Sequence, residues 1–225
     1  MTIENPLQQT LIVIPAYNEA RYIGEVISRF LSIGFPPSSI LVIDDGSSDD
    51  TGRIAADYGV RVIRHKKNLG KGAALRSGFG ERSGHRYILT IDGDGQHQPE
   101  ESLLFYTKIG KYDLVIGYRF DRRGMPWDRI LSNRLTSLIL SLLTNQQIFD
   151  SQCGFRLIRS DALNGVRLRT NRFETESELI IKLAQKGKRI GWVPITTIYR
   201  REKSKINHLL DTLRFILLIL RSFWR

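Results

Sequence analysis

Short apolar runs alternate with helix-like patterns through the first half of the chain. Residues 10–14 form one apolar run, and residues 22–31 then carry apolar side chains at the spacing of one helix face. Further buried strands are predicted at residues 39–43, 60–63, 87–91 and 114–117. Strand and helix alternate through four or five units, which predicts an α/β domain with a mainly parallel sheet covered by helices on both faces.

The second half of the chain is patterned differently. Residues 130–149 carry leucines along one helix face, a further helix is expected to begin near Phe173, and residues 209–224 form an apolar stripe flanked by arginines. The longest charge-free apolar run of this tail, residues 215–220, is far shorter than the ~20 residues that span a bilayer. Three interpretations of the tail stay open: an interfacial membrane helix, a helix packed on the core or a second subunit, or a truncated membrane segment.

Composition adds a charge that calls for a partner. The 225 residues carry a formal charge of +11, which suits nucleic acid, an anionic membrane surface or a phosphorylated substrate. The single cysteine, Cys153, excludes an internal disulfide framework and fits a reducing compartment. The first residues do not resemble a secretory leader, so we expect an unsecreted protein.

The most informative polar residues follow the run 87–91. Asp92 and Asp94 lie one residue apart on glycine-rich backbone, with Gln96 close behind. Carboxylate and amide oxygens are hard ligands that suit Mg²⁺ or Mn²⁺, and these ions commonly keep open positions for phosphate oxygens. The alternative is an ordinary polar turn after a strand.

Polar groups also follow the first two predicted strands. The loop from Pro15 to Glu19 offers the Tyr17 ring and the Asn18 amide to a nucleobase, although Asn18 could instead cap the next helix. Asp44 and Asp45 are candidates for binding a ribose or base, because ligands of open α/β sheets bind beyond the carboxyl ends of the strands. Asp49 and Asp50 are interpreted as structural residues at a helix start.

The glycine-rich segment at residues 68–72 lacks the spacing of a phosphate-binding loop of the Walker type. Its small residues are expected to let the following helix lie close against the sheet. A dehydrogenase is also disfavoured, because no G-x-G-x-x-G follows a strand. The loop after the first strand does not fit a nucleotidyltransferase.

Taken together, these motifs and their order resemble family-2 glycosyltransferases, specifically the dolichyl-phosphate mannose synthase-like branch. The resemblance spans residues 11–207, and the segments that carry it are Pro15 to Glu19, Asp44 to Ser47, Asn68 to Gly72, Asp92 to His97, Gly117 to Arg119, Gly154 to Arg156, Phe173 to Glu176, and Ser204 with Lys205. It implies a GT-A fold, a single Rossmann-like sheet, with residues 1–207 as the catalytic domain and 208–225 as a C-terminal amphipathic helix. Gln98 departs from the pattern, since many relatives place an acid there.

The resemblance also implies roles for individual residues. The donor would be a nucleotide-diphosphate sugar such as GDP-mannose or UDP-glucose, and Mg²⁺ or Mn²⁺ the cofactor. The implied donor contacts are Pro15, Tyr17 and Glu19 at the base, Asp44 and Asp45 near base and ribose, Asp92, Asp94 and Gln96 at the metal, and Arg200 or Arg201 with Lys205 at the diphosphate. Asp94, Arg119 and Arg156 are the expected catalytic residues, the two arginines as contacts for donor or acceptor phosphate.

The expected acceptor is a polyprenyl phosphate, which is largely ionised near neutral pH and needs no general base. His97 is therefore interpreted as a loop residue, and Glu176 as a group that could orient the acceptor. We expect a peripheral enzyme at the cytoplasmic membrane face. The alternatives are a non-lipid acceptor, a non-catalytic subunit of a larger complex, or a basic nucleic-acid-binding module, which carboxylates at the strand ends disfavour.

Overall fold

A computed structural model describes residues 5–121, 123–199 and 208–223; for residues 208–212 and 223 it describes the backbone alone. Within these ranges the strands are β1 (Thr10–Ala16), β2 (Ile40–Asp44), β3 (Arg61–Arg64), β4 (Tyr87–Thr90), β5 (Leu114–Arg119), β6 (Arg156–Arg159) and β7 (Ile190–Ile195). The helices are α1 (Ile23–Ile33), α2 (Thr51–Asp57), α3 (Lys71–Gly80), α4 (Ser102–Ile109), α5 (Trp127–Thr144), α6 (Glu174–Gln185) and α7 (His208–Phe223).

The strands form one seven-stranded sheet in the order β3-β2-β1-β4-β6-β5-β7. Only β6 runs against its neighbours, so the predicted mainly parallel α/β sheet is confirmed. Arg156, the first residue of β6, pairs with Thr90 near the end of β4 and with Ile116 in β5. The start of β6 therefore lies at the edge of the sheet where the parallel strands end.

The helices form two layers on opposite faces of the sheet. Side chains three residues apart on a strand point to opposite faces. Thr10 of β1 shares a 2.7 Å hydrogen bond with Tyr106 of α4, whereas Val13 packs on Gly78 of α3. Helices α1 and α2 belong to the layer of α4, and α6 packs beside α3. Both α5 and α7 pack on α6, and so form an outer shell on that side.

The hydrophobic core runs along the central strands. Residues 11–14 and 40–43 are fully buried, as are most side chains of β4, β5 and β6. These continuous apolar runs are typical of strands covered on both faces, and their burial is the main favourable contribution to folding. The core thus fixes the strand ends, and with them the loops that carry the polar residues.

Helix α5 buries its polar side. It begins three residues before the predicted start and ends at Thr144, and the next residue, Asn145, has a left-handed φ of 50°. Asn133 and Ser137 are buried, while Leu131, Leu135, Leu138 and Leu142 are 56–77% exposed. The row of leucines predicted from the sequence is therefore present on one side of the helix, but it points away from the core.

The tail helix α7 is attached to the domain by one side. Phe215 and Leu218 are buried in the core cluster, which supports the packed-helix interpretation for that side. Leu213, Ile216, Leu217 and Leu220 are 43–53% exposed. No helix within the described ranges is both long and apolar enough to cross a membrane.

Candidate functional site

The loops that follow β1 and β2 are joined by hydrogen bonds, and we call residues 17–20 with 45–51 the stitched loop pair. The Asn18 amide donates to Ser47 Oγ at 3.0 Å, and Asn18 Oδ1 accepts from the Ser48 amide at 2.8 Å. The Glu19 amide donates to Thr51 Oγ1 at 2.8 Å. Asn18 has a φ of 54° and lies outside α1, so its predicted alternative role as a helix cap is wrong.

The structural role predicted for Asp49 is confirmed by its hydrogen bonds. Its Oδ2 accepts from the Ala20 amide at 3.1 Å, and its Oδ1 accepts from the Thr51 amide at 3.0 Å. Burial works against the charged form, but the bonds from Thr51 and Ala20 hold the pKa of Asp49 below its ordinary value. Asp50, which precedes α2, instead forms an exposed ion pair with Arg53 of that helix.

The three predicted base contacts line the end of β1. Pro15 is buried and pairs with Ile43 in the sheet. Tyr17 is half-buried in the loop, and the Glu19 side chain is buried. The structure therefore places these residues at the start of the stitched loop pair, beside the end of β2.

Asp44 and Asp45 are buried at the end of β2, and backbone groups hold them. Asp45 accepts the amides of Leu69 and Gly70 at 3.0 and 2.7 Å, and its Oδ1 lies 2.6 Å from His65 Nδ1. Asp45 thereby fixes the glycine-rich segment in front of α3. Asp44 Oδ1 accepts the Ser47 amide at 2.8 Å, and its Oδ2 lies 3.3 Å from Arg64 Nε.

Lys71 joins two carboxylates from distant parts of the chain, and we call Lys71, Asp92 and Glu176 the lysine bridge. Lys71 Nζ lies 2.6 Å from Asp92 Oδ1 and 2.9 Å from Glu176 Oε1. Burial opposes the charge of Lys71, but the two carboxylates outweigh it and raise its pKa. Burial likewise opposes the charge of Asp92, yet Lys71 holds the pKa of that carboxyl below its ordinary value.

Glycines let other segments approach this bridge closely. A Cβ on Gly154 would lie 2.6 Å from Asp92 Oδ2, and one on Gly93 would lie 3.3 Å from Ala16 Cβ at the end of β1. Gly72, the residue after Lys71, has the same role toward Asn171, because a Cβ there would lie 2.8 Å from the Asn171 carbonyl carbon. The loops after β1 and β4, the start of α3 and the start of α6 thus meet at one place.

Asp94 and Gln96 follow Asp92 in a turn. Asp94 Oδ1 accepts the Gln96 amide at 3.0 Å, and the Gln96 carbonyl accepts the Ile198 amide at 2.9 Å. No group of three or more His, Cys, Asp and Glu side chains is arranged as a metal centre in the described part of the chain. Asp92 and Asp94 nevertheless fit Mg²⁺ or Mn²⁺, because Mg²⁺ is usually held by one or two carboxylates together with water and substrate phosphates.

Arg119 lies at the end of β5 and is held by a buried acid. Its Nε and Nη2 donate to Asp150 Oδ2 and Oδ1 at 2.7 and 2.8 Å, a bidentate pair. Asn133 of α5 also donates to Asp150 Oδ1, at 2.9 Å. Burial disfavours both charges, but each one stabilises the other, so the pKa of Arg119 is raised and that of Asp150 lowered.

Arg156 is buried beneath the site and is bonded to backbone. Its Nε, Nη1 and Nη2 donate to the carbonyls of Cys153, Glu176 and Ser151 at 2.7–2.9 Å. The resemblance implies a phosphate contact for Arg156, but this geometry instead uses its guanidinium to join the loop at 151–155 to the start of α6. Burial also raises the pKa of the Cys153 thiol to about 12.

His97 agrees with its interpretation as a loop residue. The side chain is 5% exposed and its ring lies 5.9 Å from that of Phe155. Burial lowers the pKa of His97 to about 4, so the ring is neutral near neutral pH. The predicted residues Arg200, Arg201 and Lys205 lie outside the described residues.

Two residues of this arrangement were not predicted as site residues. Lys71 lies in the segment Asn68 to Gly72, which carries part of the resemblance, but no role was assigned to it after a Walker loop was rejected. Asp150 had no signal of its own, because its partner Arg119 lies 31 residues earlier in the chain.

Comparisons with known proteins give a consistent picture. Residues 11–167 match the family described as Glycosyl transferase family 2. The chain is 34% identical to polyprenol monophosphomannose synthase of Mycolicibacterium smegmatis, over 72% of this chain and 66% of that protein. It is 32% identical to UDP-N-acetylglucosamine–dolichyl-phosphate N-acetylglucosaminyltransferase of Methanococcus voltae, over 84% of this chain and 85% of that one.

A solved structure with a similar fold is glucosyl-3-phosphoglycerate synthase from Mycobacterium tuberculosis, in complex with Mn²⁺, uridine diphosphate and phosphoglyceric acid. The TM-score is 0.73 at 22% sequence identity, and the match covers 96% of this chain and 78% of that one. This likeness concerns the fold, and it agrees with the expected GT-A architecture.

Proposed function

Because the chain belongs to glycosyltransferase family 2 and is a glycosyltransferase, we propose that it transfers a hexose from a nucleotide-diphosphate sugar to a polyprenyl phosphate. The transfer inverts the anomeric carbon, depends on Mg²⁺ or Mn²⁺ and takes place at the cytoplasmic face of a membrane. GDP-mannose and UDP-glucose are the two donors that we put first.

The lysine bridge is the observation that carries the proposal. It lies beyond the carboxyl ends of β1 and β4, where the strand order reverses and where open α/β sheets bind their ligands. The donor nucleoside would lie along the stitched loop pair, with Pro15, Tyr17 and Glu19 at the base. Its diphosphate would then reach Asp92 and Lys71.

Asp92 and Asp94, with Gln96, are the residues that would hold the divalent cation. When bound, that cation neutralises negative charge on the diphosphate as it leaves the sugar. Lys71 and Arg119 add positive charge at the same edge of the sheet, which is a form of electrostatic stabilisation. Arg156 acts as a positioning residue, because it fixes the loop beside Asp92.

The acceptor assignment is supported by chemistry and by the relatives' names. One relative is named as a polyprenol monophosphomannose synthase, and the other as a transferase of N-acetylglucosamine to dolichyl phosphate. A lipid phosphate with a second pKa of about 6 is largely ionised, and its oxygen can attack the anomeric carbon directly. One C–O bond forms, the bond to the nucleoside diphosphate breaks, and no general base is required. The neutral, buried His97 agrees with such a reaction.

The proposal is tested by transfer of radiolabelled sugar to a short polyprenyl phosphate. GDP-mannose, UDP-glucose and UDP-N-acetylglucosamine are each supplied with Mg²⁺ or Mn²⁺, and again with EDTA. We expect one donor to give a lipid-linked product, and only when the metal ion is present. Product that persists in EDTA would contradict the metal dependence. Binding of nucleotide without transfer to lipid from any of the three donors would contradict the proposed donor and acceptor pair.

A further inference from the structure

We propose that α5 docks on an anionic lipid bilayer through its exposed apolar face, formed by Trp127, Leu131, Leu135, Leu138 and Leu142, which we call the leucine face. These five side chains are 56–77% exposed. Successive helix residues are rotated by about 100°, so the five positions fall within about 80° of the helix circumference. They form a narrow stripe about 22 Å long.

The leucine face is not an incompletely packed core surface. The opposite side of α5 is satisfied, since Asn133 donates to Asp150 and Ser137 Oγ accepts the Ser151 amide at 3.1 Å. Turning the leucines inward would bury them but break these buried polar contacts. Contiguous exposed apolar patches on a protein surface usually mark an interaction site. The outward orientation of the leucine face is therefore a fixed property of the fold.

Charge and side-chain chemistry favour a bilayer as the occupant. The chain carries +11, and the exposed Arg134 borders the leucine face. A second copy with the same charge would be repelled, whereas anionic lipid head groups would be attracted. Trp127 lies at the start of the stripe and is 77% exposed, and its ring suits the head-group region of a membrane. Apolar residues on one side with arginine at the margin are typical of interfacial helices.

Docking would bring the bilayer close to the site. The polar side of α5 reaches Arg119 through Asn133 and Asp150, so a single helix separates the leucine face from that guanidinium. A bilayer is the expected partner because the acceptor is a lipid phosphate, and to this extent the inference rests on the proposed function. Helix α7, which also packs on α6, presents four further exposed apolar residues.

The test is co-sedimentation with vesicles of phosphatidylcholine and phosphatidylglycerol, without donor or polyprenyl phosphate. We expect Leu135→Glu/Leu138→Glu to weaken vesicle binding at least about tenfold, because it places two charges in the docking face. The matched control is Leu103→Glu/Leu104→Glu in α4, which lies in the opposite helix layer. Leu103 and Leu104 are 48% and 42% exposed. The control should bind within about twofold of the unchanged chain. Equal binding by the α5 variant, or no binding by the unchanged chain, overturns the proposal.

A second measurement does not depend on the charged variants. Lipids brominated on the acyl chain should quench the tryptophan fluorescence of the unchanged chain, and Trp127→Phe should remove most of that quenching. Equal quenching in both proteins would overturn the proposal. The proposal would also be overturned if sedimentation equilibrium showed that Leu135→Glu/Leu138→Glu dissociates a dimer while vesicle binding stays unchanged. Sugar transfer is measured separately, so failure of docking is distinguishable from failure of the proposed reaction.

Discussion

The stitched loop pair and the lysine bridge hold carboxylates in two different ways. In the first region, Asp49 accepts backbone amides, and beside it Asp44 and Asp45 do the same. In the second region, Asp92 and Glu176 face the ammonium group of one lysine. Backbone amides are fixed by the fold, whereas a lysine side chain has rotatable bonds and can move away.

This difference suggests that the carboxylates bonded to amides belong to the scaffold, and that those paired with lysine take part in the reaction. A carboxylate bonded to amides cannot release them without loss of local structure, because buried donors would be left unpaired. A carboxylate neutralised by a lysine can exchange that partner for a cation or share it with a phosphate. We therefore expect substitutions in the first region to reduce stability, and those in the second to reduce turnover as well.

The largest difference in transfer rate is expected between Asp94→Asn and Asp50→Asn. Asp94 is a proposed metal ligand, and its loss should lower the transfer rate by about 10²–10³-fold, the range found for removing one electrostatic contact to a transition state. Asp50 pairs with Arg53 at the surface, so Asp50→Asn should leave the rate unchanged. Steady-state transfer assays and thermal unfolding measure both. Full activity in Asp94→Asn would contradict the proposed metal ligand.

Asp150→Asn tests the ion pair that holds Arg119. Asp150 is fully buried, and removing one partner of a buried pair should lower the free energy of unfolding by about 3 kcal/mol. Arg119 lowers the pKa of Asp150, so the contribution of this pair is present above the unfolded-state pKa and is lost as the pH falls through the folded-state pKa. Urea unfolding from about pH 7 to about pH 3 should therefore show the two proteins converging in acid. A constant difference would contradict the charge-pair explanation.

Lys71→Met asks whether the lysine bridge serves both stability and catalysis. It leaves Asp92 and Glu176 without their shared cation, which should cost about 3 kcal/mol and lower the transfer rate. Lys66→Met is the control, because Lys66 is exposed. Urea unfolding and transfer assays are compared for both variants. Loss of stability with an undiminished rate would make Lys71 part of the scaffold and remove the distinction between the two regions.

Arg156→Met separates positioning from phosphate binding. Three buried carbonyls would lose their donor, at a cost of about 2 kcal/mol, and the loop at 151–155 should loosen. Cys153 reports on that loop, because its thiol is buried and has a raised pKa of about 12. Its reaction with a disulfide reagent should be slow in the unchanged protein and faster in the variant. If the thiol of Cys153 reacted at an unchanged rate while acceptor binding weakened, the result would support Arg156 as a direct phosphate contact.

Asp45→Asn should also cost about 2 kcal/mol of stability, because an amide nitrogen would face a backbone N–H. If Asp45 belongs to the scaffold alone, nucleotide affinity of the folded protein should change by less than about threefold. Calorimetric titration with GDP and UDP measures that affinity. A much larger loss would instead support the ribose contact that the resemblance implies.

The sheet was largely predictable because its strands are buried on both faces. Strands β1 to β5 appear in the sequence as apolar runs and lie within one or two residues of their predicted ends. Strand β6 was missed because its four residues begin and end with arginine, and β7 because Gly191 and Pro194 interrupt its pattern. Short or interrupted strands depend on their neighbours in the sheet, which sequence periodicity does not record.

The candidate site was predictable where its residues are adjacent in sequence. Asp92, Asp94 and Gln96 lie on one turn, and spacing alone suggested them. Partnerships between distant segments were not visible, such as Lys71 with Glu176 or Arg119 with Asp150. Periodicity found the leucines of α5, but it gave no reason for them to face outward. That orientation is set by the polar contacts of Asn133 and Ser137.

The place of β6 in the sheet has a consequence for biosynthesis. Strands β4 and β5 follow one another in the chain, yet β6 lies between them. While residues 120–155 are being made, the native partner of both β4 and β5 is missing, so the edge of β4 that β6 later covers is open to aggregation. Arrival of β6 closes that gap, and Arg156 at its first residue then meets the start of α6. The central gap of the sheet is therefore closed only after residue 159 has been made, and the edge strand β7 is added beside β5 later still.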